Sequence, residues 1–405
     1  MKHKRSLLAL SVLGATATLL PLLGVAQAGA DYAPQSGDIV GVGGDTPQFA
    51  IDFGLNGSLS AAGFNQTATV NRVVDFDATA DGNARQAYTQ GSSEASPKPL
   101  NPTDVLRAGT SPVQRISSSG NAITALLADQ GSPETINYIF SGSLPTPAQQ
   151  TTAGTEGFGY LHVVEIGTDA IDIAAASGGS FTTNAPAGLT IAQLLSIYDA
   201  TGPVTWSGLG LGTSNDTIIP ELPPTSSTVY KTLIADLKTA NGNVAPSLSN
   251  PDIVLVEQND PTAITGASNP AGVTDAVPQD DAIVPFSAAR LTHWNSSYFL
   301  NPATAPSYPT GGPAPLTPGI SVLTGSPVGG GTTYSSPITD YVIFRQSDAT
   351  SATPLEPGGT KNWVQSLFSN SSAPTTPFFA RSTGQALVAA SGVIPVYNDL
   401  GDVHS

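Results

Sequence analysis

The sequence predicts an α/β fold, a sheet covered by helices. Three stretches each run a few β-branched residues into a turn rich in Ser, Thr or Gly, and then into an apolar-periodic segment. Short strand-like and helix-like runs alternate along the chain, as they do where helices pack on a sheet. Composition supports a packed core: 40% of the 405 residues are hydrophobic and 11% are charged.

The elements follow in chain order. Residues 39–42 read as a strand entering the turn Gly43-Gly44-Asp45-Thr46-Pro47. Asp45 or Thr46 can cap the helix after it, and Pro47 suits its first turn. Residues 65–76 alternate as a strand would, with Val70, Val73, Val74 and Phe76 as the apolar members. Residues 100–107 read as a short helix capped by Asn101 or Thr103. The second stretch joins residues 113–116 through Ser117, Ser118, Ser119 and Gly120 to a helix over 121–127. Residues 136–140, 159–166 and 170–175 read as strands. Thr190 opens a helix with Ile191, Leu194, Leu195 and Tyr198 at helical spacing. The third stretch joins residues 217–219 through Pro224, Thr225, Ser226, Ser227 and Thr228 to a long helix ending near Ala240.

Residues 253–256 and 282–286 read as buried strands, with Ser287 a cap for the helix that follows. Residues 301–336 are rich in Pro, Gly, Ser and Thr and read as an exposed, irregular insertion. Residues 340–345 form a strand, 361–368 and 384–390 are helical, and 393–396 close the chain. No repeat of fixed period is present.

A helix N-terminus presents free N–H groups and partial positive charge, so it holds anions without Lys or Arg. That matters in a chain with 14 Lys plus Arg against 30 Asp plus Glu and a net charge of −16. Such acidity excludes nucleic acid, whose backbone requires a basic footprint, and argues against an anionic membrane surface. Lys2, Lys4 and Arg5 precede an apolar run over 6–25, and Ala26-Gln27-Ala28 has the form of a cleavage site. Residues 1–28 therefore read as a secretory signal peptide. Cysteine is absent, so neither a disulfide nor a lipid-anchor Cys is expected, in keeping with a secreted or periplasmic protein.

Enzymatic machinery is not evident. Of the four His, His3 leaves with the signal and His404 sits in the tail. His162 falls in a strand pattern, where a core or sheet-face role is expected. His293 has no G-x-S-x-G elbow to serve. His and Cys are too scarce for a metal cluster, and no EF-hand loop, Walker sequence or full dinucleotide fingerprint is present. No catalytic residue, metal or cofactor is expected. Asp280-Asp281 reads as a solvated turn.

Several segments resemble, in order, those of bacterial phosphate-binding proteins, the extracytoplasmic receptors of phosphate ABC importers. Gly41-Val42-Gly43-Gly44-Asp45-Thr46 resembles their opening strand–turn, and residues 115–123 resemble their Ser/Gly-rich second turn. Residues 136–143, 189–198 with Thr205-Trp206, 256–260 and 282–290 resemble later segments. The resemblance spans most of the chain after the signal. It implies a type 2 periplasmic-binding-protein fold, with two α/β lobes and a ligand cleft between them. Residues 31–165 plus 281–405 would form one lobe and 166–280 the other.

By the same resemblance, phosphate or a similar small anion would be held by Asp45, Thr46, Ser118, Ser119, Ser141, Ser226, Ser227 and Thr228. Arg115 and Asp45 would fill the roles of an arginine and a proton-accepting carboxylate. The protein would be a monomeric binder, not an enzyme, delivering to the membrane subunits of an ABC importer. The chain departs from the family at its third turn, which lacks glycines and a basic residue, and at Ile139-Phe140. The rival reading is a secreted structural or adhesive protein on the same scaffold.

Overall fold

Two long antiparallel strands run through the centre of the molecule and belong to both of its halves. In this computed structural model, residues 34–58, 61–67, 71–78, 103–131, 134–178, 180–260, 262–295, 319–351, 362–369 and 376–405 are described. The expected signal peptide (1–28) and residues 301–318 of the expected insertion lie outside them.

The first half begins with β1 (Ile39–Gly43), wholly buried, and α1 (Gln48–Asn56). α2 (Phe64–Thr67) and β2 (Val73–Asp75) follow. Of the strand expected over 65–76, residues 73–75 form β2, residues 65–67 are helical, and 68–70 lie outside the described residues. Asn65 sits in a helical turn instead, and its side chain takes both backbone groups of Val73, at 2.8 and 2.9 Å, as a neighbouring strand would. β3 (Thr103–Asp104) pairs with β4 (Val113–Gln114) where a short helix was expected. Arg107 holds this segment extended: its guanidinium donates to the carbonyls of Gln35, Asp38 and Glu134 and to the Asn137 side chain. α3 (Ser119–Ala128), β5 (Tyr138–Ser141) and α4 (Pro147–Thr155) complete this part.

β6 (Leu161–Ala176) is one strand of 16 residues where two were expected. The polar residues 167–169 that suggested a break are the place where it passes between the halves. α5 (Ile191–Tyr198) starts as predicted, with Thr190 and Gln193 in a reciprocal capping box. Thr190→Ala is expected to lower stability by ~1 kcal/mol, read as a shift in the urea midpoint. Then come β7 (Ile219–Leu222), α6 (Thr228–Ala240), β8 (Val254–Leu255), α7 (Thr262–Thr265), β9 (Ala282–Ser287) and α8 (Ala288–Asn295). Ser287 does cap α8, accepting from the Arg290 amide at 3.0 Å. Asp281 is not solvated: it is buried and accepts from Trp206 Nε1 at 2.7 Å and from Asn184 at 2.9 Å.

β10 (Ile320–Val322) pairs with β6, so part of the expected insertion is ordered sheet. The chain ends with β11 (Ser335–Arg345), α9 (Gln346–Ala349), α10 (Trp363–Leu367), α11 (Ser382–Ala390) and β12 (Ile394–Gly401).

The main sheet runs β2-β1-β5-β11-β6-β9-β7-β8, with β10 and β12 also on β6. β1 is parallel to β2 and β5, and β7 is parallel to β8 and β9. The central β6 and β11 are antiparallel, and their register shifts at Asp340/Tyr341. On one side of that shift they join β5; on the other, β6 joins β9. Each half has apolar clusters on both sheet faces. In the first, Phe53, Val364 and Leu387 cover one face and Ile123, Leu126 and Ala153 the other. In the second, Leu194, Leu233 and Leu237 oppose Ile264, Leu291 and Phe286. These are two α/β lobes joined by crossing strands.

The polar residues inside the first lobe pin its elements together. Arg345, fully buried, donates to the carbonyls of Ile136, Leu126 and Asp129 at 2.8, 3.0 and 2.7 Å. His162 is a buried core histidine, as its strand position predicts. Its ring stacks on Phe344 with centroids 4.8 Å apart, and its nitrogens meet Gln346 and Asp399.

Candidate functional site

The first turns of α3 and α6 meet where the lobes join, one from each lobe. Both begin with a serine cap, because a serine in extended backbone can accept from the amide three residues on. Ser118 Oγ accepts from the Asn121 amide at 3.4 Å, and Ser227 Oγ from the Tyr230 amide at 3.0 Å. The two amides skipped by each cap belong to Ser119 and Gly120, and to Thr228 and Val229. Among the described residues they have no protein acceptor.

Hydroxyls crowd the same place. Ser119 Oγ and Thr228 Oγ1 are 3.1 Å apart across the lobes, and the Gly142 amide donates to Ser119 Oγ at 3.0 Å. Gly142 follows β5, and a Cβ there would crowd the site, 2.9 Å from Thr46 Oγ1 and Thr228 Cγ2 and 3.0 Å from Thr228 Oγ1. Thr46 is 2% exposed, and its Oγ1 has no hydrogen-bond partner among the described residues. A buried hydroxyl left unpaired is costly, so a polar guest at this point would be stabilising.

The third helix start behaves differently. The Asp45 carboxyl takes the amides of Asp45 and Thr46, Pro47 has none, and the Gln48 amide donates to the Asp45 carbonyl at 3.1 Å. Neither Asp45 nor Thr46 caps α1 with its side chain; Pro47 occupies the cap position. This turn therefore offers the Thr46 hydroxyl rather than free amides.

The remaining expected residues fall near by but are otherwise engaged. Ser141 is buried, and its hydroxyl closes a local turn, donating to the Ser143 carbonyl at 2.7 Å and accepting from the Ser143 amide at 3.0 Å. Ser226 is half-buried, one residue before the α6 cap. Arg115 is paired with Asp104 at 2.7 Å and donates to the Asp77 carbonyl at 2.8 Å, so its charge is spent inside the first lobe.

The arginine that opposes Asp45 is Arg290, buried against the Phe49 ring at 4.0 Å. Burial nevertheless dominates. It pushes the Asp45 carboxyl up to about 7, against the pull of Arg290 and a hydrogen bond from Asn259. Below that pH, Asp45 is a neutral carboxyl beside the site. Asn259 also accepts from the Ser287 amide at 2.8 Å, and Ser287 Oγ donates to Asp169. Gln258 reaches across to the Ser117 carbonyl at 3.1 Å. Gln258 and Asn259 thus fasten the second lobe to the first, and the sequence reading gave neither a role. Their signal was positional. They follow β8, as Asp45 follows β1, Gly142 follows β5 and Ser227 follows β7, and ligands of open α/β sheets sit beyond the carboxyl ends of strands.

No protein-family model matches the chain, and no curated protein matches it. The chain folds as two α/β lobes joined by the crossing strands β6 and β11. Solved structures similar to it include the phosphate ABC transporter substrate-binding protein of Clostridium perfringens with bound phosphate. That pair is 11% identical with a TM-score of 0.48, over 89% of this chain and 99% of the other. The ABC-type phosphate transport receptor of Vibrio cholerae is 13% identical with a TM-score of 0.43, over 88% and 99%. A high-affinity periplasmic phosphate-binding protein, PfluDING, solved with phosphate, is 14% identical with a TM-score of 0.45, over 89% and 90%.

The facing helix starts bring backbone amides together with the hydroxyls of Thr46, Ser119 and Thr228. Among the described residues no group of His, Cys, Asp or Glu is placed to hold a metal ion, and no described helix is long and apolar enough to cross a membrane.

Proposed function

We propose that the protein is a secreted solute-binding protein that captures a small oxyanion, phosphate first among them, for an ABC importer. The carrying observation is the meeting of two helix N-termini from opposite lobes, with unsatisfied amides on Ser119, Gly120, Thr228 and Val229. The hydroxyls of Thr46, Ser119 and Thr228 surround the same point. Aligned peptide dipoles and N–H donors favour an anion there, and Lys231 Nζ, 3.3 Å from where a Gly120 Cβ would lie, adds a positive charge. Because the donors come from both lobes, a guest that binds all of them would hold the lobes shut and exclude water. On this reading the protein works as a monomer with importer subunits as partners, and catalyses nothing.

Titration of the mature protein with inorganic phosphate by calorimetry tests the reading. Saturable binding with one guest per chain is expected; silence at about millimolar phosphate, where binding free energies of ~4 kcal/mol are still detected, overturns it. One observation favours the rival scaffold reading. Arg115, the expected cation of the site, is bound to Asp104 instead. A protein that folds stably and ignores phosphate, sulfate and related oxyanions would support that rival.

A further inference from the structure

We infer that the second lobe carries a separate pocket for a small organic cation, a primary ammonium, built on Glu221 and Asp260. The inference is independent of what the α3–α6 meeting point holds.

Glu221 stands where the fold asks for an apolar side chain. On β7 it shares a face with Ile219, and Ile219 packs with Ile264, Ala267 and Val284. Glu221 is 1% exposed, and its Oε2 has no hydrogen-bond partner among the described residues. It lines a cavity of about 240 Å³ together with Val254, Val256, Glu257, Asp260 and Thr262. At about 30 Å³ per water, that space holds several waters or a small organic ion.

The electrostatics favour a positive guest. Burial and then the neighbouring Asp260 charge oppose ionisation of Glu221, which is pushed up to about 8. Three carboxyl-bearing residues, Glu221, Glu257 and Asp260, line one space, and a cation among them would relieve both the repulsion and the unpaired oxygen. Asp260 is held in place by Thr262, whose amide and hydroxyl each donate to its Oδ1 at 2.8 Å. A metal ion is disfavoured, because no described group of acidic or imidazole side chains has the placement to coordinate one. An ammonium requires less: its three N–H donors match the carboxyls of Glu221, Asp260 and Glu257, and Val254 and Val256 give its alkyl end an apolar wall.

The test is thermal unfolding of the intact protein at about pH 9, above the Glu221 value of about 8. Methylammonium chloride is compared with sodium chloride and calcium chloride at equal ionic strength. Methylammonium is expected to raise Tm by roughly 2 °C or more over sodium at saturating concentration. The rise should vanish in Glu221→Leu, which completes the apolar face, and shrink in Asp260→Asn, which serves alone if the first variant fails to fold. Equal shifts in wild type and variants, or none above sodium, overturn the pocket. A variant-sensitive shift with calcium but not methylammonium overturns the ammonium assignment.

Discussion

Thr228→Asp is expected to abolish oxyanion binding while leaving the protein folded. Thr228 is the first residue of α6, with Ser119 Oγ 3.1 Å away on the other lobe. A carboxylate there accepts the amides that a guest anion would otherwise take, and a negative charge at a helix N-terminus stabilises by about 0.3–1 kcal/mol. A guest then meets a fixed like charge at close range. At about 4 Å and an effective dielectric of about 20, the repulsion is roughly 4 kcal/mol, about a thousandfold in affinity. Calorimetry with phosphate reads the loss, and thermal unfolding should show an equal or higher Tm. Phosphate binding retained within tenfold of wild type would remove the α3–α6 meeting point as the site. Thr228→Val, which deletes one hydroxyl and adds no charge, should weaken binding by about tenfold.

How much of this was legible in the sequence depended on whether the signal was local. The serine caps at Ser118 and Ser227 were readable, because a cap is chemistry within four residues. The buried strands β5 and β9 were readable from their apolar runs. Where a side chain acted over a long distance, local reading failed. The segment at 103–104 is extended, while Arg107, 72 residues from Gln35, holds the turn after it. The continuity of β6 was hidden for a similar reason. Asp169 looks like a strand breaker, yet it is buried and accepts the Ala289 amide at 2.9 Å from 120 residues away. The partner of Asp45 illustrates the same limit at the site. Sequence order suggested Arg115, but the fold pairs Arg115 with Asp104 and sets Arg290 against Asp45. Choosing between two arginines requires the tertiary path, which short patterns do not carry.

Stability should fall as pH rises from about 4 to about 8. Burial is the main cause, because it disfavours the charged form of every carboxyl involved. Asp45 and Asp348 are pushed up to about 7, Glu221 to about 8, and Asp169 and Asp281 to about 6. Asp340, buried at the register shift beside Asp169 and Asp45, goes well above the ordinary range. For an acid whose folded value lies above its unfolded one, the native state binds the proton more tightly. Its stabilising contribution is complete below the unfolded value and is lost as pH rises through the folded value. For Asp45, the rise from 3.8 to about 7 corresponds to on the order of 4 kcal/mol. His162 is raised as well, because bonds to Asp399 and Gln346 outweigh its burial, and it acts with the same sign. Asp399 is lowered by that bond and acts oppositely, losing its contribution only as pH falls through the acid range. Asp399 and Asp199, the two lowered carboxyls among the described residues, do not offset these six raised ones, so Tm should drop by about 10 °C or more between pH 5 and pH 9. Scanning calorimetry across that range measures it, and a flat or rising Tm would contradict the expectation. Asp45→Asn removes one of the titrations and should flatten the curve between about pH 4 and pH 7. It leaves the fall above pH 7, where Glu221 ionises, in place.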